Sequence, residues 1–259
     1  MSVEIMHGDC RDVLRTISDN HFDCCVTSPP YWGLRDYGVE GQIGLEPTMQ
    51  EYLSTMVDVC REIRRALKPE GTFWLNIGDT YNNFRVSSKG QSVHKEEMRG
   101  KFDGRRPVAP NLKEKDLCMI PNRLAIMLQE DGWYVRSEII WHKPNPMPES
   151  VRDRPTCSHE KVWLLTKSDK YFYDAKAIAE QSLHPNAKAD WTSASRKERA
   201  KSLGRKPVGN EINGKKYEGQ ETRNARNVWT ITTKPFKGAH FATMPPELAE
   251  RCIKAGCPE

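Results

Sequence analysis

Residues 22–32, Phe-Asp-Cys-Cys-Val-Thr-Ser-Pro-Pro-Tyr-Trp, decide how this chain is read. Phe22 to Thr27 is a short apolar run halted by two prolines, which predicts a buried β-strand. In an open parallel sheet, the segment after a strand lies at the carboxyl edge, where ligands bind. Pro29 and Pro30 fix the backbone and remove two N–H donors, so their carbonyls should face outward as acceptors. Ser28 adds a hydroxyl, and Tyr31 and Trp32 add flat faces suited to stacking a planar ring. A rigid proline turn capped by core aromatics accounts for the same residues.

Outward from this point, strands and helices alternate. Val3 to Met6 is a second short apolar run, stopped by Gly8-Asp9, and Arg11 to Ile17 suits a short helix. From Met49 to Leu67, apolar residues at Leu53, Met56, Val57, Cys60, Ile63 and Leu67 fall on one helical face. Lys68-Pro69-Glu70-Gly71 should end that helix, and Thr72 to Ile77 reads as a strand. Pro121 to Glu130 predicts a helix with proline in its first turn, followed by a strand from Trp133 to Trp141. Lys161 to Thr166 is expected to turn through 167–170 into Tyr171-Phe172-Tyr173, an antiparallel hairpin. Asn227 to Thr232 reads as a strand and Pro246 to Ala255 as a helix. The pattern is α/β with a mostly parallel sheet.

The 259 residues suffice for a core of their own, and no stretch nears the roughly 18 to 20 apolar residues of a membrane span. Mean hydropathy is −0.74. No signal peptide is legible at the start, so a cytoplasmic location is expected. The eight cysteines include no Cys-x-x-Cys pair, and Cys157-Ser158-His159-Glu160 lacks a second ligand pair, so no metal is expected. The net charge of +5 is uneven. Residues 184–227 carry 11 Lys or Arg against 5 Asp or Glu, and 85–115 carry 9 against 4. Two basic insertions on an acidic body suggest a polyanion-facing surface, although solvated loops have the same composition.

Thr27-Ser28-Pro29-Pro30-Tyr31-Trp32 resembles the catalytic motif of the amino-methylating DNA methyltransferases, which transfer a methyl group from S-adenosylmethionine to cytosine N4 or adenine N6. The resemblance spans nearly the whole chain. Gly8-Asp9-Cys10 with Leu14 is similar to the family's strand-end acidic motif. Leu67 to Thr72 resembles its helix-to-strand turn. Ile140 to Asn145, His159-Glu160 and Thr166 to Tyr171 resemble later landmarks in the same order. Ala239 to Pro245 resembles the segment that touches the methionine end of the cofactor. The resemblance implies a Rossmann-like sheet, catalytic residues Ser28, Pro29, Pro30 and Tyr31, and cofactor contacts from Asp9, Cys10, Phe241, Ala242 and Thr243.

The chemistry agrees with the residue types. An exocyclic amine is a poor nucleophile because its lone pair is delocalised into the ring. Acceptors around its hydrogens favour a more tetrahedral nitrogen and stabilise the charge that develops during attack. Ser28 Oγ and the Pro29 carbonyl are the candidates, and Tyr31 would stack on a base swung out of the duplex. Thr-Ser-Pro-Pro-Tyr most resembles the cytosine-N4 group, and adenine N6 remains the alternative.

Under this resemblance the chain divides into a catalytic α/β domain over 1–183, a basic target-recognition segment over 184–227 and a return to the catalytic domain over 228–259. Arg196, Lys197, Arg199, Lys201, Arg205, Lys206, Arg223 and Arg226 are the candidate contacts to double-stranded DNA. A restriction endonuclease of the same system is an expected partner. The chain contains no Gly-x-Gly, and it ends where the resemblance places a central strand and a glycine-rich cofactor loop. A sheet lacking central strands and weak cofactor binding are therefore expected. A non-catalytic DNA-binding fragment is the competing reading.

Overall fold

The computed structural model describes residues 3–82, 109–183, 188–189, 198–199, 201–204, 217–218, 221–234 and 243–258. They divide into two compact units, Met1–Asp174 with Asn227–Glu259, and Ala175–Arg226.

The first unit is built on a five-stranded sheet. In chain order its elements are α1 (Cys10–Thr16), β1 (Phe22–Thr27), α2 (Met49–Ala66), β2 (Leu67–Ile77), α3 (Ile120–Glu130), β3 (Tyr134–His142) and β4 (His159–Thr166). The second unit holds β5 (Glu180–Gln181), β6 (Lys188–Ala189), β7 (Tyr217–Glu218) and β8 (Thr222–Arg223). β9 (Val228–Thr230) and α4 (Pro246–Gly256) complete the first. The strand order of the large sheet is β1-β2-β4-β3-β9. β1 with β2 and β3 with β9 are parallel, whereas β4 runs antiparallel to both of its neighbours. The sheet is thus mixed rather than mostly parallel, because the reversed strand lies inside it. In the second unit β5 pairs with β8 and β6 with β7, both antiparallel.

Alternation along β2 sorts the layers. Phe73, Leu75 and Ile77 join the core formed with α2 and α3, together with Trp163 and Leu165 of β4. The intervening Thr72 and Trp74 face α4. Thr72 Oγ1 donates to the Gly256 carbonyl at 2.9 Å and accepts from Trp74 Nε1 at 3.0 Å. A Cβ on Gly256 would lie 2.2 Å from Thr72 Oγ1, so only glycine permits this approach.

α2 begins at a capping box. Thr48 Oγ1 accepts from the Glu51 amide at 3.2 Å, and Glu51 Oε2 accepts from the Thr48 amide at 2.9 Å. The helix passes into β2 without a loop. Lys68-Pro69-Glu70-Gly71 does not separate the two elements but forms an irregularity inside β2, where the pairing jumps from Phe22↔Leu67 to Cys24↔Thr72.

Two expected strands are not found. Val3 to Met6 lies outside any strand, with Val3 88% and Ile5 90% exposed. Tyr171 to Tyr173 also forms no strand. The Phe172 amide instead donates to the Glu70 carbonyl at 2.9 Å, and the antiparallel partners of β4 are β2 and β3. β1 pairs only with β2 among the described residues, so it is an edge strand with no fully buried residue.

Candidate active site

Four chain segments meet where β1, β2 and β3 end and β4 begins. Register requires this convergence: Thr27 pairs with Leu75, Asn76 with Val162, and His142 with His159. The loop 28–31, the end of β2, Lys143 and Glu160 are therefore neighbours.

The Ser-Pro-Pro-Tyr loop is held by contacts the sequence does not announce. Tyr52 of α2, fully buried, donates from its hydroxyl to the Pro30 carbonyl at 2.9 Å. The Leu34 amide donates to the Tyr31 carbonyl at 3.3 Å. Gly44, at φ +101°, passes so close that a Cβ there would lie 3.0 Å from the Tyr31 carbonyl oxygen. Of the Pro29, Pro30 and Tyr31 carbonyls, only that of Pro29 has no hydrogen-bond partner among the described residues. The expectation of outward acceptors at both prolines is corrected on this point, since Pro30 is engaged inward. Trp32 is corrected as well. It is 3% exposed, belongs to the core and donates from Nε1 to the Glu46 carbonyl at 3.0 Å, so it offers no free stacking face.

Ser28 is exposed, and its Oγ lies 3.2 Å from the Tyr31 hydroxyl. That hydroxyl donates to Glu160 Oε2 at 2.6 Å and lies 3.4 Å from Asn76 Oδ1. Asn76 Nδ2 donates to Glu160 Oε2 at 3.0 Å, and Lys143 Nζ pairs with Glu160 Oε1. The Lys143 ammonium also sits 4.4 Å from the centre of the Trp141 ring. Burial, then the adjacent Glu160 carboxylate, raises the Tyr31 phenol well above its ordinary pKa, so it stays protonated. The half-buried Tyr31 ring packs on Gly78.

Sequence reasoning assigned no role to Asn76, Lys143 or Glu160. The legible signal was Asn76 itself, a polar residue in the run Thr-Phe-Trp-Leu-Asn-Ile and 2% exposed in the fold. A buried amide demands partners.

The other candidates are spread over the molecule. Asp9 caps α1, accepting from the Arg11 amide at 2.8 Å and the Arg11 guanidinium at 2.9 and 2.5 Å. These bonds hold its carboxyl down at about 2. Cys10 and Thr243 are exposed, whereas Phe241 and Ala242 lie outside the described residues. Among the basic candidates, Arg199 and Lys201 are exposed, and Arg196, Lys197, Arg205 and Lys206 lie outside the described residues, as do residues 85–108 of the first basic insertion. Arg223 and Arg226 hold Glu180 at 3.3 and 2.8 Å within the second unit. No group of three His, Cys, Asp or Glu able to hold a metal occurs among the described residues, and no helix there is long and apolar enough to cross a membrane.

Residues 22–259 match the family of DNA methylases acting at N6 or N4. The Type II methyltransferase M.SmaI of Serratia marcescens is 42% identical over 256 residues, 98% of this chain and 75% of that protein. M.XycI of Xanthomonas campestris pv. cyanopsidis is 45% identical over 252 residues, 97% of this chain and 71% of the relative. Among solved structures, the cytosine-N4-specific PvuII DNA methyltransferase superposes with a TM-score of 0.56 at 16% identity, covering 97% of this chain and 69% of that one, which shows a common fold. The chain belongs to the amino-methylating DNA methylase family. It is a DNA methyltransferase, as its Type II relatives are named.

Proposed function

We propose that this chain methylates the N4 amine of a cytosine swung out of double-stranded DNA, with Ser28, Pro29, Pro30 and Tyr31 forming the base site. The reading is carried by exposed Ser28 followed in the chain by Pro29, whose carbonyl has no partner among the described residues, at the carboxyl edge of β1 and β2. Two acceptors placed around the amine hydrogens draw the nitrogen toward a tetrahedral shape, freeing its lone pair for attack. Pro30 fixes the turn through Tyr52, and the partly buried Tyr31 is assigned to stacking on the base. Support for cytosine over adenine is the Thr-Ser-Pro-Pro-Tyr order of residues 27–31.

S-adenosylmethionine, the donor that the family resemblance implies, would supply a sulfonium methyl group as the electrophile when bound. Asp9, Cys10, Phe241, Ala242 and Thr243 are assigned to holding it. The three of these that are described fit such a ligand. Asp9 is an ionised acceptor whose Oδ2 accepts only from Arg11 among the described residues, and Cys10 and Thr243 are accessible. Arg196, Lys197, Arg199, Lys201, Arg205 and Lys206 are assigned to phosphate contacts and target reading, and the basic composition of 184–227 supports the assignment. The Type II names of the relatives favour a cognate endonuclease as partner in the same system.

The test is methylation of duplex DNA with a labelled donor, followed by hydrolysis to nucleosides. N4-methylcytosine is the expected product. N6-methyladenine would replace the cytosine assignment, and no methylated base would remove the reading.

A further inference from the structure

The acceptor role proposed for Ser28 requires that its own hydrogen be kept out of the way. We propose that Glu160 is a positioning residue that fixes the direction of a hydrogen-bond chain from Ser28 through Tyr31 to Glu160, and so holds Ser28 Oγ as an acceptor toward the substrate amine. The inference rests on the reading of Ser28 given above.

A phenol has one hydrogen to give. Around the Tyr31 hydroxyl stand Glu160 Oε2 at 2.6 Å, Ser28 Oγ at 3.2 Å and Asn76 Oδ1 at 3.4 Å. A carboxylate at 2.6 Å is in the range of charge-assisted bonds, and the other two contacts are long and weak. The phenol proton is therefore committed to Glu160. The contact between Ser28 and Tyr31 then has a single available polarity, with the serine donating to the phenol oxygen. Ser28 Oγ is left with only its lone pairs to present outward.

The direction matters because the opposite one inhibits. A serine hydroxyl free to rotate would point its hydrogen at the lone pair of the amine nitrogen, the electron pair that must attack the methyl group. The carboxylate is itself anchored from two sides, by Lys143 on Oε1 and by Asn76 Nδ2 on Oε2 at 3.0 Å. The Glu160 and Lys143 side chains are 17% and 18% exposed, and among the described residues Glu160 reaches Ser28 only through Tyr31.

The direction of the chain is read without turnover by proton NMR. The Tyr31 hydroxyl proton should be exchange-protected and shifted downfield, lost in Tyr31→Phe and Glu160→Gln but retained in Ser28→Ala. A signal retained in Glu160→Gln and lost in Ser28→Ala would mean that the phenol donates to the serine, and would overturn the proposal. The functional arm is single-turnover methyl transfer by the full chain. Glu160→Gln should slow the step about tenfold, with KM for DNA and donor and the melting temperature little changed. In the Tyr31→Phe background the same substitution should add less than about twofold, because Glu160 acts through the phenol. An equal loss in both backgrounds, or none in either, rejects the chain. If Glu160→Gln fails to fold, Glu160→Gln with Lys143→Gln removes both charges together and carries the same expectations. Normal turnover in Ser28→Ala strikes the base-site reading itself. Slow Ser28→Ala with normal Glu160→Gln strikes only the positioning role.

Discussion

Gly78 and the Tyr31 ring approach so closely that a Cβ on Gly78 would fall 2.6 Å from Tyr31 Cε2. The absence of a side chain at the end of β2 is thus part of how the phenol reaches Glu160. Gly78→Ala should push the ring aside, break its bond to Glu160 and cost about 1–3 kcal/mol from overpacking. Turnover should fall by more than the melting shift accounts for. Kinetics and melting of this variant together check it, and wild-type turnover would show that the phenol position is immaterial.

Ser28→Ala should lower methyl transfer by one to two orders of magnitude, about 1.4–2.7 kcal/mol for one missing transition-state acceptor. Ser28 is exposed, so the melting temperature should stay near that of the wild type. Comparison of kcat and thermal unfolding decides between a chemical and a structural role.

Tyr52→Phe removes the donor to the Pro30 carbonyl while leaving the ring volume in place. A carbonyl left without its buried partner costs about 1–3 kcal/mol. Denaturant unfolding should show that loss, and turnover should fall further because the Pro-Pro turn is no longer tied to α2. An unchanged midpoint would mean that water replaces the tyrosine hydroxyl.

Neutralising Arg196, Lys197, Arg199 and Lys201 together should flatten the salt dependence of DNA binding, by about 0.9 in log–log slope for each phosphate that is no longer neutralised. Arg223 and Arg226 should behave differently, because both already hold Glu180. Their replacement should loosen the second unit more than it changes the slope. Binding titrations between low and high salt separate the two groups, and an unchanged slope in the fourfold variant would return the segment to a solvated loop.

Asp9 links stability to acid. Its carboxyl is depressed from 3.8 to about 2 by the Arg11 side-chain and backbone bonds. A depressed folded-state pKa contributes stability above the unfolded value, and that contribution is lost as pH falls toward the folded one. Asp9→Asn keeps a capping side chain but removes the charge. The stability gap between wild type and this variant should be constant from neutral pH to about 5, narrow below about 4 and close near 2. A gap that persists at pH 2 would mean that shape rather than charge matters at this cap.

Elements with a strong period were legible in the sequence. α2, α3, β3, β4 and α4 stand within a residue or two of their expected places, since each is long enough for its apolar spacing to be unambiguous. Val3 to Met6 was not, because a short apolar run states a preference for burial without supplying a neighbour to pair with. The wrong partner for β4 has the same origin: a tight turn at 167–170 suggests a hairpin, but register with β2 and β3 is a property of the whole sheet. Within the site, the Ser-Pro-Pro-Tyr loop was readable as a string. Which of two adjacent aromatics entered the core was not, and neither was the use of Glu160, which depends on three strands lying side by side.

The hydrogen bond between Tyr31 and Glu160 joins residues 129 positions apart in the chain. Contacts of such separation form late, since the loop they close must first be ordered. Neither the Ser-Pro-Pro-Tyr loop nor β4 carries the site alone. It comes into being only when the reversed strand has been seated between β2 and β3. During refolding, methyl transfer should therefore return after the helical signal of α2 and α3, and a nascent chain released before β4 would already possess the catalytic motif yet lack the carboxylate that orders it.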